Sequence, residues 1–492
     1  MIHSSKISIN KFFGIILLIS FVLQGSSFDQ IPEDGFLQID RQPASSDRQE
    51  ALRIKWPQID NKQEYVNEVM MIDAFSVNQG GGGLQSVTMY PPENAIDLDF
   101  ELQKVVEKYG LMGLSVTLIA NHEIAYEGIF GKAVYEPAKE MSRNSLFRIA
   151  SITKTTVTMG LMQLMEQGLV DLDEDVSRYL GWELRNPNLP EVRITLRHLM
   201  GHTSGIRDGE GYGRFISDMF IDRLNIRELF QTSGSHFTED MFADHEPDHF
   251  FSYSNSAWSL VATVIEKISG QRFDRYMQSR IFSPLQMNAS FNLTDFERDQ
   301  IAILYRKPDG VWTPQVDDYR ENTPAERAYE GYEPGHNGLL YGPQGNLRID
   351  TASLQILART LMNGGELNGA RVLQESTIEL ISKPNWVYDG TNGDTWDEFW
   401  QSYGLGIHII SNREGKDVIF PDRKMWGHPG IAYGLLSDMY IDPETGSGVI
   451  FVTTGSNRPF ETSDRSSFYA MEQEVFDLLY PYLQKIEEPR LK

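Results

Sequence analysis

Leu146-Phe147-Arg148-Ile149-Ala150-Ser151-Ile152-Thr153-Lys154 leads into a helical stretch that is apolar on nearly all sides, and the fold turns on how it is read. From Ile152 to Gln167, the residues Val157, Met159, Leu161, Met162, Leu164 and Met165 cover nearly every side of a helix, with Gly168 placed to cap it. A helix that is apolar all round is buried in the middle of a protein. Ser151 stands at its start with Lys154 three residues on, so the two share a face and Lys154 Nζ can reach Ser151 Oγ. A serine hydroxyl is a poor nucleophile until a neighbouring base takes its proton, and a desolvated lysine can help. The helix start adds a backbone N–H and the positive end of the helix dipole, both suited to an oxyanion. The S-x-x-K pattern alone is weak, being expected by chance about twice in a chain this long. Ser8-Ile9-Asn10-Lys11 matches it too, but only Ser151 opens a long buried helix.

Around this helix the pattern is of strands at both ends. Leu114 to Ala120 and Ile124 to Phe130 read as a hairpin joined by Asn121-His122-Glu123. Strand signals return at Gly404 to Ile410, Leu435 to Ile441 and Val449 to Thr454, the last two joined by the turn sequence Asp442-Pro443-Glu444-Thr445-Gly446. Between them, to about residue 395, the chain is rich in helical patterns and Pro/Gly turns. A final amphipathic helix is predicted over about Ser463 to Leu483. The arrangement predicts an α/β (α+β) fold: a mixed, mainly antiparallel sheet completed by both halves, helices on its two faces, and an inserted, mostly helical subdomain.

The N-terminal part reads differently. Lys6 and Lys11 precede the apolar run Phe12 to Leu23, which is followed by Gly25-Ser26-Ser27, the pattern of a cleavable secretory signal over residues 1–27. The run is short of the roughly 20 apolar residues that span a bilayer. A secreted or periplasmic mature protein, without stable membrane insertion, is expected. Residues 28–97 are polar and irregular, ending in Gly80-Gly81-Gly82-Gly83 and Pro91-Pro92, and read as an extension or linker. With no Gly-Lys-Ser/Thr after them, the four glycines are not a phosphate loop. Asn288-Ala289-Ser290 and Asn292-Leu293-Thr294 are sequons, relevant only in a eukaryotic source.

Composition excludes several functions. The 44 Lys+Arg and 69 Asp+Glu leave a net charge of −25, which opposes nucleic acid and anionic membrane surfaces. At 40% hydrophobic and 23% charged, the chain has the make-up of a globular protein with a real core. The absence of cysteine removes disulfides, thiolate zinc sites, Fe–S clusters and cysteine nucleophiles. His245-Glu246-Pro247-Asp248-His249 fits the zinc motif H-E-x-x-H, but that geometry needs a helix through all five residues, and Pro247 breaks it. The G-x-S-x-G elbow is absent, since Gly201-His202-Thr203-Ser204-Gly205 has the wrong spacing.

Other segments fall into an order with Ser151. They are Glu166-Gln167-Gly168 to Leu180, Leu196-Arg197-His198-Leu199-Met200-Gly201-His202-Thr203-Ser204-Gly205, Phe251-Ser252-Tyr253-Ser254-Asn255, Pro284-Leu285-Gln286-Met287 and Trp426-Gly427-His428-Pro429-Gly430. Together they resemble the serine β-lactamase and penicillin-binding-protein superfamily, most nearly its class C β-lactamase, D-aminopeptidase and esterase-like branch. The resemblance covers about residues 98–485, with Gln286 where a glycine is usual and His428 where Lys-Thr-Gly or His-x-Gly is usual. Tyr65-Val66-Asn67 also fits Tyr-x-Asn, and His336-Asn337-Gly338 fits His-x-Gly. The first lies outside the resembling region. His428 is preferred because it immediately precedes the strand and hairpin that should end the sheet.

The resemblance implies a serine hydrolase acting through an acyl-enzyme on an amide or ester: a peptide, D-amino-acid amide, ester or β-lactam. Ser151 would be the nucleophile, and Lys154 and Tyr253 would share the base role, with the lysine charge favouring tyrosinate character. Asn255 would orient Lys154 and the substrate. The N–H groups of Ser151 and Ile431, the latter just after Gly430, would form the oxyanion hole, and His428 would donate to the substrate. No metal or organic cofactor is implied, and the sequence leaves the oligomeric state open. The alternative is a non-catalytic member that uses the cleft for binding, or assembles through residues 28–97; intact Ser151, Lys154, Tyr253 and Asn255 argue against it.

Overall fold

The computed structural model describes residues 38–43, 50–55, 70–72, 97–456 and 460–488. The chain divides into two units, Met1–Asn94 and Ala95–Lys492. In the first, Gln38–Pro43, Glu50–Lys55 and Met70–Ile72 pair as a three-stranded antiparallel sheet, so the extension is not irregular throughout. The alternation in Ala51-Leu52-Arg53-Ile54-Lys55 is the signal for it. The apolar run Phe12 to Leu23 and the pair Tyr65/Asn67 lie outside the described residues. Among the described residues, no helix is long and apolar enough to cross a membrane.

The second unit is built on a nine-stranded sheet, counted among the described residues. Its strands are β1 (Gly113–Ala120), β2 (Glu123–Val134), β3 (Lys139–Glu140), β4 (Trp386–Val387), β5 (Ser402–Tyr403), β6 (His408–Ile409), β7 (Trp426–Ala432), β8 (Leu435–Asp442) and β9 (Ser447–Thr453). The order is β4-β5-β6-β7-β8-β9-β1-β2-β3, with every neighbouring pair antiparallel. The expected union of the two chain ends is the pairing of β9 with β1, Gly448 opposite Ile119 through Thr453 opposite Leu114.

Local chemistry explains the joints. Asn121 and His122 have φ of 52° and 64°, the two left-handed positions of a tight hairpin, and Glu123 already belongs to β2. The Gly404 to Ile410 stretch is not one strand. Gly404 N–H donates to Ile407 O at 2.9 Å and Gly406 sits at φ 70°, so the chain turns back between β5 and β6. Both glycines advertise that turn, and the apolar residues around them masked it.

Helices cover both faces. On one lie α1 (Leu98–Tyr109) and α5 (Ala470–Glu487), whose apolar residues pack with Leu436, Tyr440, Val449 and Phe451. On the other lie α2 (Ile152–Glu166) and α4 (Thr351–Met362), sharing a core with Leu435, Met439, Ile441 and Ile450, and α3 (Ser256–Ser269) packs against α2. The period of two along β8 separates the two cores. The final helix begins at Ala470, not near Ser463. Ser466 Oγ accepts the Phe468 N–H at 3.2 Å, and Ser463 N–H donates to Phe468 O at 2.8 Å, so serine-centred turns displace the first helical turns.

Candidate active site

Ser151 is the N-cap of α2, with φ −71° and ψ −10°, and follows Ala150 at φ 44°. A positive φ at alanine is uncommon. It lets the chain swing from Arg148-Ile149 into the helix so that the Ser151 side chain is part-exposed while the next nine residues are buried. Lys154, one turn into α2, is fully buried. Its Nζ has three neighbours: Ser151 Oγ at 3.0 Å, Asn255 Oδ1 at 2.8 Å and Gln344 O at 2.7 Å. Ser151 lies near enough to the Tyr253 phenol to lower its pKa, and Lys154 Nζ lies 4.8 Å from the centre of the Tyr253 ring. The four residues Ser151, Lys154, Tyr253 and Asn255 are therefore one cluster.

Burial sets its electrostatics. Loss of water pushes the Lys154 ammonium well below the ordinary lysine range; the Asp208 carboxylate opposes this and the Arg148 charge adds to it. Burial pushes the Tyr253 phenol up, Ser151 acts the other way, and Asp208 raises it further. Both shifts favour neutral partners, an amine and a phenol, over a lysine–tyrosinate ion pair. The tyrosinate character expected from the lysine charge is not what this environment favours.

Asp208 is the residue that sequence reasoning missed. Its carboxylate accepts the backbone N–H groups of Asn255 at 2.9 Å and Ser256 at 2.7 Å, and Asn255 Nδ2 at 2.9 Å. It thus caps α3 from a distance and fixes the Asn255 amide so that Oδ1 faces Lys154. Its place three residues beyond Gly205 gave no spacing signal of its own. Gln344, in the turn sequence Gly342-Pro343-Gln344-Gly345, contributes only its carbonyl, which side-chain chemistry does not reveal.

The Tyr253 ring is clamped. His202 stacks on one side at 4.3 Å between centroids and 29° between planes, and Trp400 stacks at 5.2 Å and 11°. His202 Nδ1 accepts the Ser254 N–H at 3.0 Å, and burial holds the imidazole well below its usual range, hence neutral. Next to Tyr253 opens a cleft of about 320 Å³, lined among others by Arg207, Asp208, Asp240, Asp394 and Trp396.

β7 runs beside the nucleophile. A Cβ on Gly430 would meet Ile149 O at 2.6 Å and Ala150 Cβ at 3.1 Å, so only glycine permits this approach. Ser437 Oγ ties the same place together, donating to Ile149 O at 3.0 Å. Pro429 has no N–H, so its pair with Asp438 cannot exchange ladder bonds; by alternation the Ile431–Leu436 pair does not either. The Leu436 N–H donates instead to Thr453 Oγ1 at 3.0 Å, on the β9 side. Ile431 N–H is thereby turned away from β8.

His428 departs from its expected role. It is fully buried, its Nδ1 lies 2.5 Å from Pro429 O and its Nε2 lies 2.8 Å from the Tyr403 hydroxyl. A carbonyl only accepts, so Nδ1 carries the proton and Nε2 accepts from Tyr403. Both nitrogens are engaged within the protein, and no donor is left for a substrate. Burial holds the ring neutral. His336 of the rival His-x-Gly lies elsewhere, against Asn225 at 3.1 Å and Arg223 O at 3.0 Å. Residues 245–249 form a turn, with Asp248 at φ 70°, so His245 and His249 do not make the helical H-E-x-x-H pair. Among the described residues, no group of three or more His, Asp or Glu is arranged to hold a metal ion. Of the two sequon asparagines, Asn292 is fully buried against Asp274, which bars it from carrying a glycan.

An antiparallel sheet with helices on both faces and an added helical region is a fold with solved counterparts. The D-amino acid amidase of Ochrobactrum anthropi superposes with a TM-score of 0.56 at 21% identity, over 80% of this chain and 100% of that one. The chain belongs to the Beta-lactamase family, whose model matches residues 98–470. Among curated relatives, penicillin-binding protein 4* of Bacillus subtilis is 30% identical over 37% of this chain and 38% of its own length. Esterase EstB of Burkholderia gladioli is 27% identical over 45% of this chain and 59% of its own length. The matched part thus spans less than two thirds of either relative.

Proposed function

We propose that this chain is an exported serine hydrolase that acts through an acyl-enzyme at Ser151 on a neutral or amine-bearing ester or amide. The observation that carries the reading is the set of three partners around Lys154 Nζ. A neutral amine has two N–H groups and one lone pair. Asn255 Oδ1 and Gln344 O are obligatory acceptors that take the two N–H groups. The lone pair is left for the Ser151 hydroxyl at 3.0 Å, and burial favours that neutral form. This is a base waiting for a proton.

In the first step Ser151 Oγ bonds to the substrate carbonyl carbon and its proton passes to Lys154. The oxyanion falls between the N–H groups of Ser151 and Ile431, where the dipole of α2 also acts. On collapse the carbonyl–oxygen or carbonyl–nitrogen bond breaks, Tyr253 gives its own proton to the leaving group, and the proton held by Lys154 restores the phenol and frees the amine. Water then reverses the sequence on the acyl-enzyme, releasing the acid and restoring Ser151. Gly430 allows β7 to stand close enough for Ile431, and His428 serves by bracing Tyr403 and the start of that strand.

The substrate class follows from charge. The cleft sets Asp208, Asp240 and Asp394 against Arg207, and His428 supplies no cation. At position 428 a carboxylate-bearing substrate lacks the charge-assisted bond that a lysine would give, worth roughly 1.5–3 kcal/mol or about ten- to a hundred-fold in discrimination, and the three carboxylates outnumber the single Arg207 guanidinium. The run Phe12 to Leu23 supports export, and the names of the amidase, esterase and penicillin-binding relatives support acyl transfer to a serine.

One experiment tests this. Labelling with a fluorophosphonate should place the added mass on the peptide carrying Ser151, and Ser151→Ala should lose both label and turnover while staying folded. In the same preparation p-nitrophenyl butyrate or a D-alanine anilide should exceed nitrocefin in kcat/KM. A folded Ser151→Ala protein with full turnover overturns the acyl-enzyme, and nitrocefin as the best of the three overturns the substrate class.

A further inference from the structure

Trp396, Asp397 and Glu398 lie consecutively in the left-handed region, with φ of 47°, 55° and 64°. Residues with a Cβ enter that region singly and rarely, not in runs. Such a run persists only where its surroundings hold it, and strain of this kind gathers at ligand clamps. Here the surroundings are explicit. Glu398 N–H donates to Thr395 Oγ1 at 3.1 Å, Trp400 N–H to Thr395 O at 3.0 Å and Ser467 Oγ to Asp397 O at 3.3 Å. On the other side Asp394 N–H donates to Phe251 O at 2.9 Å, two residues before Tyr253.

What the strained run delivers is one indole at the mouth of the cleft. Trp396 is 54% exposed, with its ring centroid 5.2 Å from Tyr253 and 5.5 Å from Trp400. Trp400 is fully buried and already stacks on Tyr253, so holding the tyrosine does not require Trp396. An aromatic face of this size left in water beside a reactive cleft is suited to a ring. Its position says which ring. The oxyanion side of the site is β7, whereas Trp396 flanks Tyr253, the hydroxyl that hands the proton to the departing atom.

We propose that Trp396 forms a leaving-group subsite, which stacks an aromatic ring on the alcohol or amine expelled when Ser151 is acylated. The inference rests on the acyl-transfer reading above. In the step concerned the Ser151 Oγ–carbonyl bond forms, the carbonyl–heteroatom bond breaks, and the aromatic alcohol or amine leaves with the proton from Tyr253. After that the ring is gone, so Trp396 has no part in deacylation.

The test uses methyl and benzyl esters of one acid on the full chain. Wild type should acylate faster with the benzyl ester, and Trp396→Ala should lower the benzyl-to-methyl ratio of kcat/KM about two- to tenfold. Trp396→Phe should keep most of the ratio, which controls for misfolding. Equal losses on both esters, or a loss in the deacylation rate of their common acyl-enzyme, overturn the leaving-group assignment. If wild type labels at Ser151 but the ratio survives in Trp396→Ala, this subsite alone falls. If wild type does not label, the acyl-transfer reading falls with it.

Discussion

Two groups of buried titratable side chains lie on opposite faces of one sheet, and one of them, through Tyr253, borders the cleft described above. On the α2 face, Lys154 and Tyr253 meet around Ser151. On the α5 face, Asp438 of β8 meets Glu472 in the first turn of α5, both buried. Neighbouring residues of β8 serve the two sides: Ser437 Oγ bonds to Ile149 O beside the nucleophile, and Asp438 faces the other way. Burial raises both carboxyls, and Glu472 reaches about 7. Shifted acidity is thus a product of burial on either face. What sets the first cluster apart is a part-exposed serine hydroxyl at a helix start, acceptors around the Lys154 amine, and an adjoining cleft, which is why the nucleophile is proposed there.

The sharpest way to break the comparison is to take the first cluster apart. Lys154→Ala and Tyr253→Phe should each cut turnover by about 10²–10⁴-fold. The double variant should be scarcely worse than the worse single, because residues acting as one unit are not additive. The pH dependence carries a sign as well. Burial lowers the Lys154 pKa, so its neutral amine persists further down the pH scale than an exposed lysine would, and kcat/KM should rise as pH rises through that lowered value. Losses that multiply cleanly, or a profile that rises only near the ordinary lysine value, would separate Lys154 from the chemistry.

How far this cluster could be read from the chain depends on where the information sits. Ser151 and Lys154 are legible because a three-residue spacing at the head of an apolar helix has few other meanings. Tyr253 and Asn255 are legible only as part of an ordered set of motifs. Asp208 and Gln344 are not, since one acts on backbone N–H groups and the other through a carbonyl that every residue possesses. His428 was expected just before the strand and hairpin that end the sheet, whereas it lies inside β7, and the partners of its two nitrogens, Pro429 O and Tyr403, are set by tertiary packing. The sheet was legible wherever strands alternate or run apolar. It failed at Gly404 to Ile410, where two glycines turn the chain, and at Ser463 to Tyr469, where serine-centred bonds outcompete the helix.

A middle-sized effect should come from the seam between strand and nucleophile. Gly430→Ala brings a methyl group against Ile149 O and Ala150, backbone on one side and a short side chain on the other, neither of which can swing away. β7 must retreat, taking Ile431 N–H from the oxyanion. Turnover should fall about 10²-fold, the scale of losing one oxyanion donor, while Ser151 keeps its place in α2. Slow labelling in a variant that melts near the wild-type temperature is the expected pair of results. Wild-type kinetics would show that β7 supplies no donor.

The smallest effect belongs to the second cluster, and it should appear in stability without touching catalysis. Glu472 is ordinarily a group of pKa 4.5 and is raised to about 7 by burial, against the opposing hydrogen bonds of the Tyr469 backbone and Asp438. A carboxyl raised on folding holds its proton more tightly in the native state than in the unfolded chain. Its contribution is fully present below about pH 4.5 and is lost as pH rises through about 7. The melting temperature should therefore slope downward between those limits, by a few degrees at most in a chain of this size. Glu472→Gln keeps the shape and removes the ionisation, so the slope should flatten. Hydrolysis of p-nitrophenyl butyrate at 25 °C should keep its wild-type pH profile, because Glu472 lies across the sheet from Ser151. Melting curves at pH 5, 6, 7 and 8 on both proteins decide it. An undiminished slope in Glu472→Gln would move the pH sensitivity to other groups, and an altered activity profile would mean that the two faces are coupled through β8.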